Sequence, residues 1–272
     1  MALTDETRAI SLTQDDIAKA MELSCEAGWN QLPDDWRLFL AQGRVFGLVQ
    51  EATLAATAAI MPYGSNIAWI SMVLTRKAFR GRGFGTALLR HCIAEIEKEG
   101  RTAFLDATPA GEPIYRNLGF EPSERFERWQ GDGGAQKPTL AQPAPDFAVK
   151  AANVAFGADR SFLLRDFIRR SPMTFRSMGT AHAFGRDGRL ATQIGPVTGG
   201  DEGTVIELVD AVIASLEGPV FLDVAAHCTG LAAHLKTAGF NKQRPFLRMK
   251  KGPHDWPDRP AASAVIAGPE FG

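Results

Sequence analysis

Apolar and polar positions along the first half of the chain sort into alternating elements. Thr13-Gln14-Asp15-Asp16 precedes an apolar-periodic stretch and predicts a capped helix running to about residue 27. Its carboxylates sit in the first turn, where the helix dipole favours them. Pro33 opens a second, shorter helix, because its fixed φ suits the first helical position. Residues 44–50, 53–61 and 66–75 are three apolar, strand-like runs. Residues 83–99 read as a helix, with Leu88, Leu89, Cys92, Ile93 and Ile96 forming one stripe at helical spacing. A short buried strand at 103–107, a short helix at 109–118 and a closing strand pair from 120 to 129 complete the pattern. This order predicts an α/β (α+β) fold: a mixed, mostly antiparallel sheet with helices on both faces.

The second half is a looser version of the same pattern. It predicts helices at 160–170, 201–216 and 229–238, a hairpin over 181–197 turned by Asp187-Gly188, and strands at 220–224 and 240–250. Short matches recur in the same order. Phe104-Leu105-Asp106 returns as Phe221-Leu222-Asp223, and Gly119-Phe120 as Gly239-Phe240. Phe126 and Arg128 follow the first Gly-Phe at the distances at which Phe246 and Arg248 follow the second. Four matches at nearly constant spacing predict a duplicated domain. Residues 130–146 are rich in Gly, Pro, Ala and Gln and cannot bury enough surface to hold an element. The expected division is a first domain at 1–130, a linker at 131–146, a second domain at 147–252 and a tail at 253–272. Val265, Ile266 and Phe271 suggest that the tail docks on the body.

Composition narrows the function. Apolar residues make up 45% of the 272 positions and charged residues 22%, as in soluble globular proteins. The net charge of −1 recruits neither nucleic acid nor an acidic membrane, so any anion site must be local. Cys25, Cys92 and Cys228 are too scattered for a disulfide framework or a zinc site, and no metal is expected. The N-terminus lacks the pattern of a secretory signal, and the longest apolar run, 54–61, is too short to span a bilayer. A cytoplasmic address is the expectation.

The chemistry concentrates at residues 73–86, VLTRKAFRGRGFGT. Arg80-Gly81-Arg82-Gly83-Phe84-Gly85 lies between a strand-like run and an amphipathic helix. Glycines at alternate positions let backbone N–H groups converge, and the helix start adds unsatisfied donors and partial positive charge. Arg80 and Arg82 supply forked cations. Local physics predicts a pyrophosphate site. A Rossmann fingerprint fails because Thr86 stands at the third glycine position, and no P-loop or kinase motif is present.

The loop resembles the pyrophosphate motif of the GNAT superfamily of N-acetyltransferases, Q/R-x-x-G-x-G/A, through Arg80, Gly83 and Gly85. Downstream, Ile114, Tyr115, Gly119 and Phe120 are similar to the family's L-Y-x-x-x-G-F, while Thr108 and Gly111 stand where the family has Asn and Ala. The whole chain resembles tandem GNAT proteins with a divergent second domain. That resemblance implies acetyl-CoA as cosubstrate, with Arg80, Gly81, Arg82, Gly83, Phe84, Gly85 and Thr86 at the pyrophosphate, Val73, Leu74 and Thr75 along pantetheine, and Thr108 nearby. It implies that residues 73–75 splay from the strand at 104–107. It also implies direct transfer to a small-molecule or peptide amine, with Tyr115 protonating the departing thiolate. Tyr115 suits that role because an ordinary tyrosine stays protonated at neutral pH. The acceptor must itself lose a proton. Asp106 is one carboxylate that could take it, with Asp34, Asp35 and Glu112 as others, and none is fixed by spacing. Trp29, Asn30 and Trp36 fall where the family borders the acceptor; they could wall a pocket or be core. A homodimer is one assembly open to such a chain. A CoA- or amine-binding sensor and a transferase of larger acyl groups stay open beside the acetyltransferase.

The second copy departs from the first at both places. Leu235 stands where the first copy has Tyr115, no arginine occurs in 195–204, and Asp201 and Glu202 would repel a pyrophosphate. It is expected to be catalytically silent.

Overall fold

A computed structural model describes residues 9–255 and 263–272; residues 1–8 and the part of the predicted tail at 256–262 lie outside the described residues. The chain forms two compact units that do not follow the sequence halves. Unit one comprises residues 1–105, 113–121 and 250–254, and unit two comprises 106–112, 122–249 and 255–272.

Unit one is built from β1 (Ile10–Ser11), α1 (Ile17–Glu26), α2 (Pro33–Gln42), β2 (Arg44–Gln50), β3 (Thr53–Tyr63), β4 (Ile67–Thr75), α3 (Phe84–Lys98), β5 (Thr102–Ala107) up to residue 105 and α4 (Glu112–Asn117) from residue 113. Its strands lie in sequence order. The pairs from β1 to β4 are antiparallel, and β4–β5 is parallel. The stripe read from the sequence is the buried face of α3: Leu88, Leu89, Cys92 and Ile96 are all buried. Each such leucine contributes roughly 1.5–3 kcal/mol by leaving water. Across the core, Trp69 and Phe104 stack with ring centroids 6.2 Å apart.

Two features of β4 position the site. Leu74 opposes Thr57 and Ser71 opposes Ala59, so Met72 and Val73 share the place across from Ala58. This bulge puts Met72 at φ +53°, and the Thr57 hydroxyl donates to its carbonyl at 2.9 Å. The parallel ladder with β5 runs only from Ile67–Thr102 to Trp69–Phe104, although β4 continues to Thr75.

Unit two contains β6 (Glu121–Asp132), α5 (Pro145–Phe156), α6 (Ser161–Arg170), β7 (Arg176–Met178), β8 (Ala181–Arg186), β9 (Thr192–Thr198), α7 (Glu202–Ala214), β10 (Pro219–Ala225), α8 (Thr229–Thr237), β11 (Asn241–Lys251) and β12 (Ser263–Val265). Their order is β11-β6-β10-β12-β9-β8-β7. Of residues 120–129, expected as a strand pair, all but Phe120 belong to the single long strand β6. It pairs antiparallel with β10 from Phe126–Ala225 to Asp132–Pro219. Helix α5 was not expected. Its Pro145 and Asp146 have the composition of the linker, yet they form its first turn. At the end of the chain, Val265 pairs with Val224 and Val197, and Phe271 is buried edge-on to Phe167.

Among the described residues no helix is long and apolar enough to cross a membrane. Burial pushes the Cys92 thiol up to about 12 and the Cys228 thiol up to about 11, whereas Cys25 is exposed. A native chain treated with Ellman's reagent at pH 8 should therefore release one equivalent of thionitrobenzoate promptly, and three after denaturation. Prompt release of two or more equivalents would contradict this burial.

Candidate active site

After β4, Lys77–Phe79 form one 3-10 turn, and the chain reaches α3 through Arg80–Gly83. The Arg80 Nε donates to the Thr75 carbonyl at 3.2 Å, and the Arg82 guanidinium lies over the Phe79 ring at 5.2 Å. Gly81 and Gly83 have φ of +77° and +83°, which glycine alone adopts without strain. A Cβ added to either would meet no protein atom within 4 Å, so both open onto free space. Gly83 precedes α3 and offers no side-chain cap. The first backbone bond of α3 is Ala87 N–H to the Gly83 carbonyl, so the amides of Phe84, Gly85 and Thr86 are the donors ahead of the ladder. Gly85 serves close approach: a Cβ there would sit 3.1 Å from the Thr75 hydroxyl on β4.

The spacing of Tyr115 to the Gly-Phe pair has a local cause. Gly119, at φ +85°, ends α4, and the Phe120 amide returns to the Tyr115 carbonyl at 3.1 Å. The two rings meet edge to face at 6.0 Å. The second copy repeats the closure, with Gly239 at φ +88° and Phe240 N–H on the Leu235 carbonyl at 2.9 Å. Tyr115 is partly exposed as a residue, but its phenol is enclosed and burial alone pushes its pKa up to about 12. Thr108 shapes the turn into α4: its carbonyl accepts from Gly111 and Glu112 at 2.9 and 3.0 Å, and its hydroxyl from Gly111 at 3.3 Å.

Two expected site residues are placed elsewhere. Trp36 is fully buried and donates through its indole to Ser24 at 3.1 Å, so it joins α1 to α2 in the core and walls no pocket. The Asp106 side chain is fully buried, and both carboxylate oxygens accept from Arg248, at 2.9 and 3.0 Å. Burial pushes its carboxyl up against the pull of Arg248. A carboxylate so committed is a structural ion pair, not a base open to an amine. Trp29 is partly buried and its amide donates to the Ser24 carbonyl at 2.9 Å, while Asn30 is buried. Of the other carboxylates, Asp34 pairs with Arg37 at 2.8 Å, and Asp35 accepts from the Leu32 amide at 2.9 Å.

Sequence reading passed over Glu124 in unit two. Burial raises its pKa, opposed by Arg248 and by His227, whose Nδ1 lies 3.5 Å from the carboxylate. The available signal was the repeat itself, which sets Glu124 opposite Arg244 four residues after each Gly-Phe.

The second copy closes the start of α7 with its own carboxylate. Asp201 accepts from the Thr204 amide at 2.8 Å and from its hydroxyl at 2.6 Å, and Glu202 accepts from the Leu231 amide of α8 at 3.0 Å. Both helix starts that could meet an anion there are occupied by anions of the chain itself.

Unit one thus carries an open glycine-arginine helix start beside a bulged strand, and a tyrosine closed by Gly-Phe. Models of the acetyltransferase (GNAT) domain match residues 40–122 and, separately, 149–261, and the chain belongs to this family of acyltransferases as a tandem of two such domains. It is 24% identical over 268 residues to the uncharacterized N-acetyltransferase YitH of Bacillus subtilis, covering 92% of this chain and 94% of that one. Its fold is similar to that of a candidate acetyltransferase from Pyrococcus horikoshii, at 17% identity and TM-score 0.80, over 100% and 98% of the two chains. A GCN5-related N-acetyltransferase from Sphaerobacter thermophilus matches at 18% identity and TM-score 0.66, over 93% and 98%.

Proposed function

We propose that the first repeat, residues 1–130, transfers acetyl from acetyl-CoA directly to a primary amine of a small molecule or peptide. The second, residues 147–252, is then a silent copy joined through 131–146 and followed by the tail 253–272. The observation that carries this reading is the contrast between the two helix starts. That of α3 is uncapped by any side chain, open at Gly81 and Gly83 and flanked by Arg80 and Arg82; that of α7 is capped by Asp201.

In this reading the amides of Gly81, Gly83, Phe84, Gly85 and Thr86 receive the pyrophosphate, with Arg80 and Arg82 as counter-charges. Backbone groups of Val73, Leu74 and Thr75, freed where the β4–β5 ladder ends, bind pantetheine. A β4 amide polarises the thioester carbonyl as the amine attacks. The C–N bond forms, the C–S bond breaks, the amine nitrogen loses its proton to water, and Tyr115 gives its proton to the thiolate. Thr108 binds the cofactor, and Trp29 and Asn30 border the acceptor.

The test is thiol release from acetyl-CoA across aminoglycosides, polyamines, amino acids and peptide N-termini, with CoA titrated calorimetrically alongside. One CoA per chain and amine-dependent release are expected. Two CoA per chain would refute the silent second copy. CoA binding without turnover on any amine would make the chain a sensor.

A further inference from the structure

Strands β9 and β10 are to the second copy what β4 and β5 are to the first. Both pairs are parallel and both ladders are short: Ile67–Thr102 to Trp69–Phe104 in one, Thr192–Val220 to Ile194–Leu222 in the other. The repeat matches Phe104 with Phe221, and these pair with Trp69 and Gln193. Four and five residues further on, Val197 and Thr198 are therefore the counterparts of Val73 and Leu74. In unit two that stretch is already occupied, because β12 lies between β9 and β10. Val265 pairs with Val197 on one side and Val224 on the other, and Ser263 pairs with Thr198. Asp223 is held on β10 by Arg128 through both carboxylate oxygens, at 2.8 and 2.7 Å. Its main-chain carbonyl accepts from the Ile266 amide at 3.0 Å. Ala264, Val265 and Ile266 belong to the apolar core of unit two. A Cβ at Gly195 would stand 1.9 Å from the Ile266 carbonyl oxygen, so the cleft admits only backbone there. Further along, Glu270 pairs with the buried Arg186, Phe271 meets Phe167 edge-on at 5.7 Å, and Arg160 donates to the Gly272 main-chain oxygen at 2.7 Å.

We infer that the cleft between β9 and β10 is a peptide-strand site whose ligand is this segment, Ser263–Gly272. It lies along the residues whose counterparts in the first copy are assigned to pantetheine; that comparison rests on the acetyl-transfer reading above, whereas the peptide site is read without CoA. Main-chain pairing holds the strand, as when an extended peptide is added to a sheet. Arg186 and Phe167 then read an acidic residue followed by an aromatic one. The second copy is closed to CoA twice: by Asp201 at the helix start and by this segment along β9.

The test uses the full chain, with neither CoA nor amine present. A tethered segment acts at about 1 mM, so one seated about 99% of the time has a Kd of about 10 µM for its site. A fluorescein-labelled decapeptide of residues 263–272 should therefore reach half occupancy on the wild type only at about 1 mM. Val265→Asp puts an unpaired charge into the apolar core, which releases the segment and leaves the cleft open. On that variant half occupancy should come at about 10 µM, a shift of about a hundredfold, with one peptide per chain. Amide exchange over 263–272 should rise about a hundredfold in the variant, and bound peptide should slow exchange over 192–198. The same peptide carrying Val265→Asp should bind neither chain. Equal half occupancy on both chains, or slow exchange over 263–272 persisting in the folded variant, would overturn the inference. Should Val265→Asp not fold, Phe271→Ser poses the same contrast. The wild type also decides alone, since no peptide taken up at several millimolar would overturn the site. A chain that turns over no amine would refute the acetyl-transfer reading instead, and the peptide readings would still stand.

Discussion

Gly83→Asp should leave the protein folded and weaken CoA binding about a thousandfold. A carboxylate about 4 Å from a phosphate is repelled by ~4 kcal/mol at an effective dielectric near 20, and each 1.4 kcal/mol is a factor of ten. Steric exclusion by the protein is not the cause, since a Cβ at Gly83 meets nothing within 4 Å. Folding survives because two effects offset each other. The left-handed φ of +83° costs a non-glycine residue about 1–2 kcal/mol, while aspartate ahead of a helix contributes about 1 kcal/mol as a cap. The variant would put a carboxylate at the start of α3, as Asp201 does at the start of α7, but on a left-handed backbone where Asp201 is extended. Gly83→Ala separates the terms: it keeps the φ strain without the charge and should cost no more than about tenfold in affinity. Calorimetric titration with CoA, alongside thermal melting, reads both. Wild-type affinity in Gly83→Asp would remove the loop from the cofactor site.

Local features of the site were legible because their causes are local. Alternating glycines at 81, 83 and 85 announce left-handed backbone and close approach, and those are what the structure shows. The distance from Tyr115 to Gly119-Phe120 is set by one helix end that closes on itself, and the second copy repeats it around Leu235. What stayed hidden depends on contacts distant in sequence. Asp106 sits on an apolar strand in a place that reads equally as a free carboxylate or a buried one. Only Arg248, 142 residues away, decides between them. Trp36 similarly declares nothing about exposure until Ser24 supplies its hydrogen-bond acceptor. Helix α5 was missed because Pro145 and Asp146 carry the composition of the preceding linker, although proline and acid also suit a first helical turn. Repeat matching found Asp106, Asp223, Arg128 and Arg248 as a set but not their pairing. Alignment places equivalent residues in register, whereas charge neutralisation acts in three dimensions and here crosses between the copies.

Tyr115→Phe should lower kcat about a hundredfold and leave KM for acetyl-CoA within a few-fold, since a positioned general acid contributes 10²–10⁴-fold and the phenol is assigned no part in holding CoA. A tyrosine pushed up to about 12 is a weak acid, and against a thiol of ordinary pKa near 8.5 the transfer would run uphill. In the proposed reading, however, the thiolate would depart beside the enclosed phenol, where burial would raise a thiol as well. Cys92 of the same unit is pushed up to about 12 by desolvation. Raised in the same direction, donor and acceptor would stand closer than the ordinary values, the condition under which general acid catalysis works best. The sign of the pH dependence follows from the protonated phenol being the working form. Because its pKa is raised, that form persists beyond pH 10, where an unperturbed tyrosine would be half ionised. Wild-type kcat should therefore stay level from pH 8 to 10 and fall only as the pH nears 12. Stopped-flow acetyl transfer over short exposures to each pH separates this fall from unfolding. A wild-type kcat already halved at pH 10, with no such fall in Tyr115→Phe, would mean that enclosure of the phenol is lost in the working enzyme. Turnover unchanged by Tyr115→Phe across the range would assign the proton to solvent and leave Tyr115 as the ring that closes α4 on Phe120.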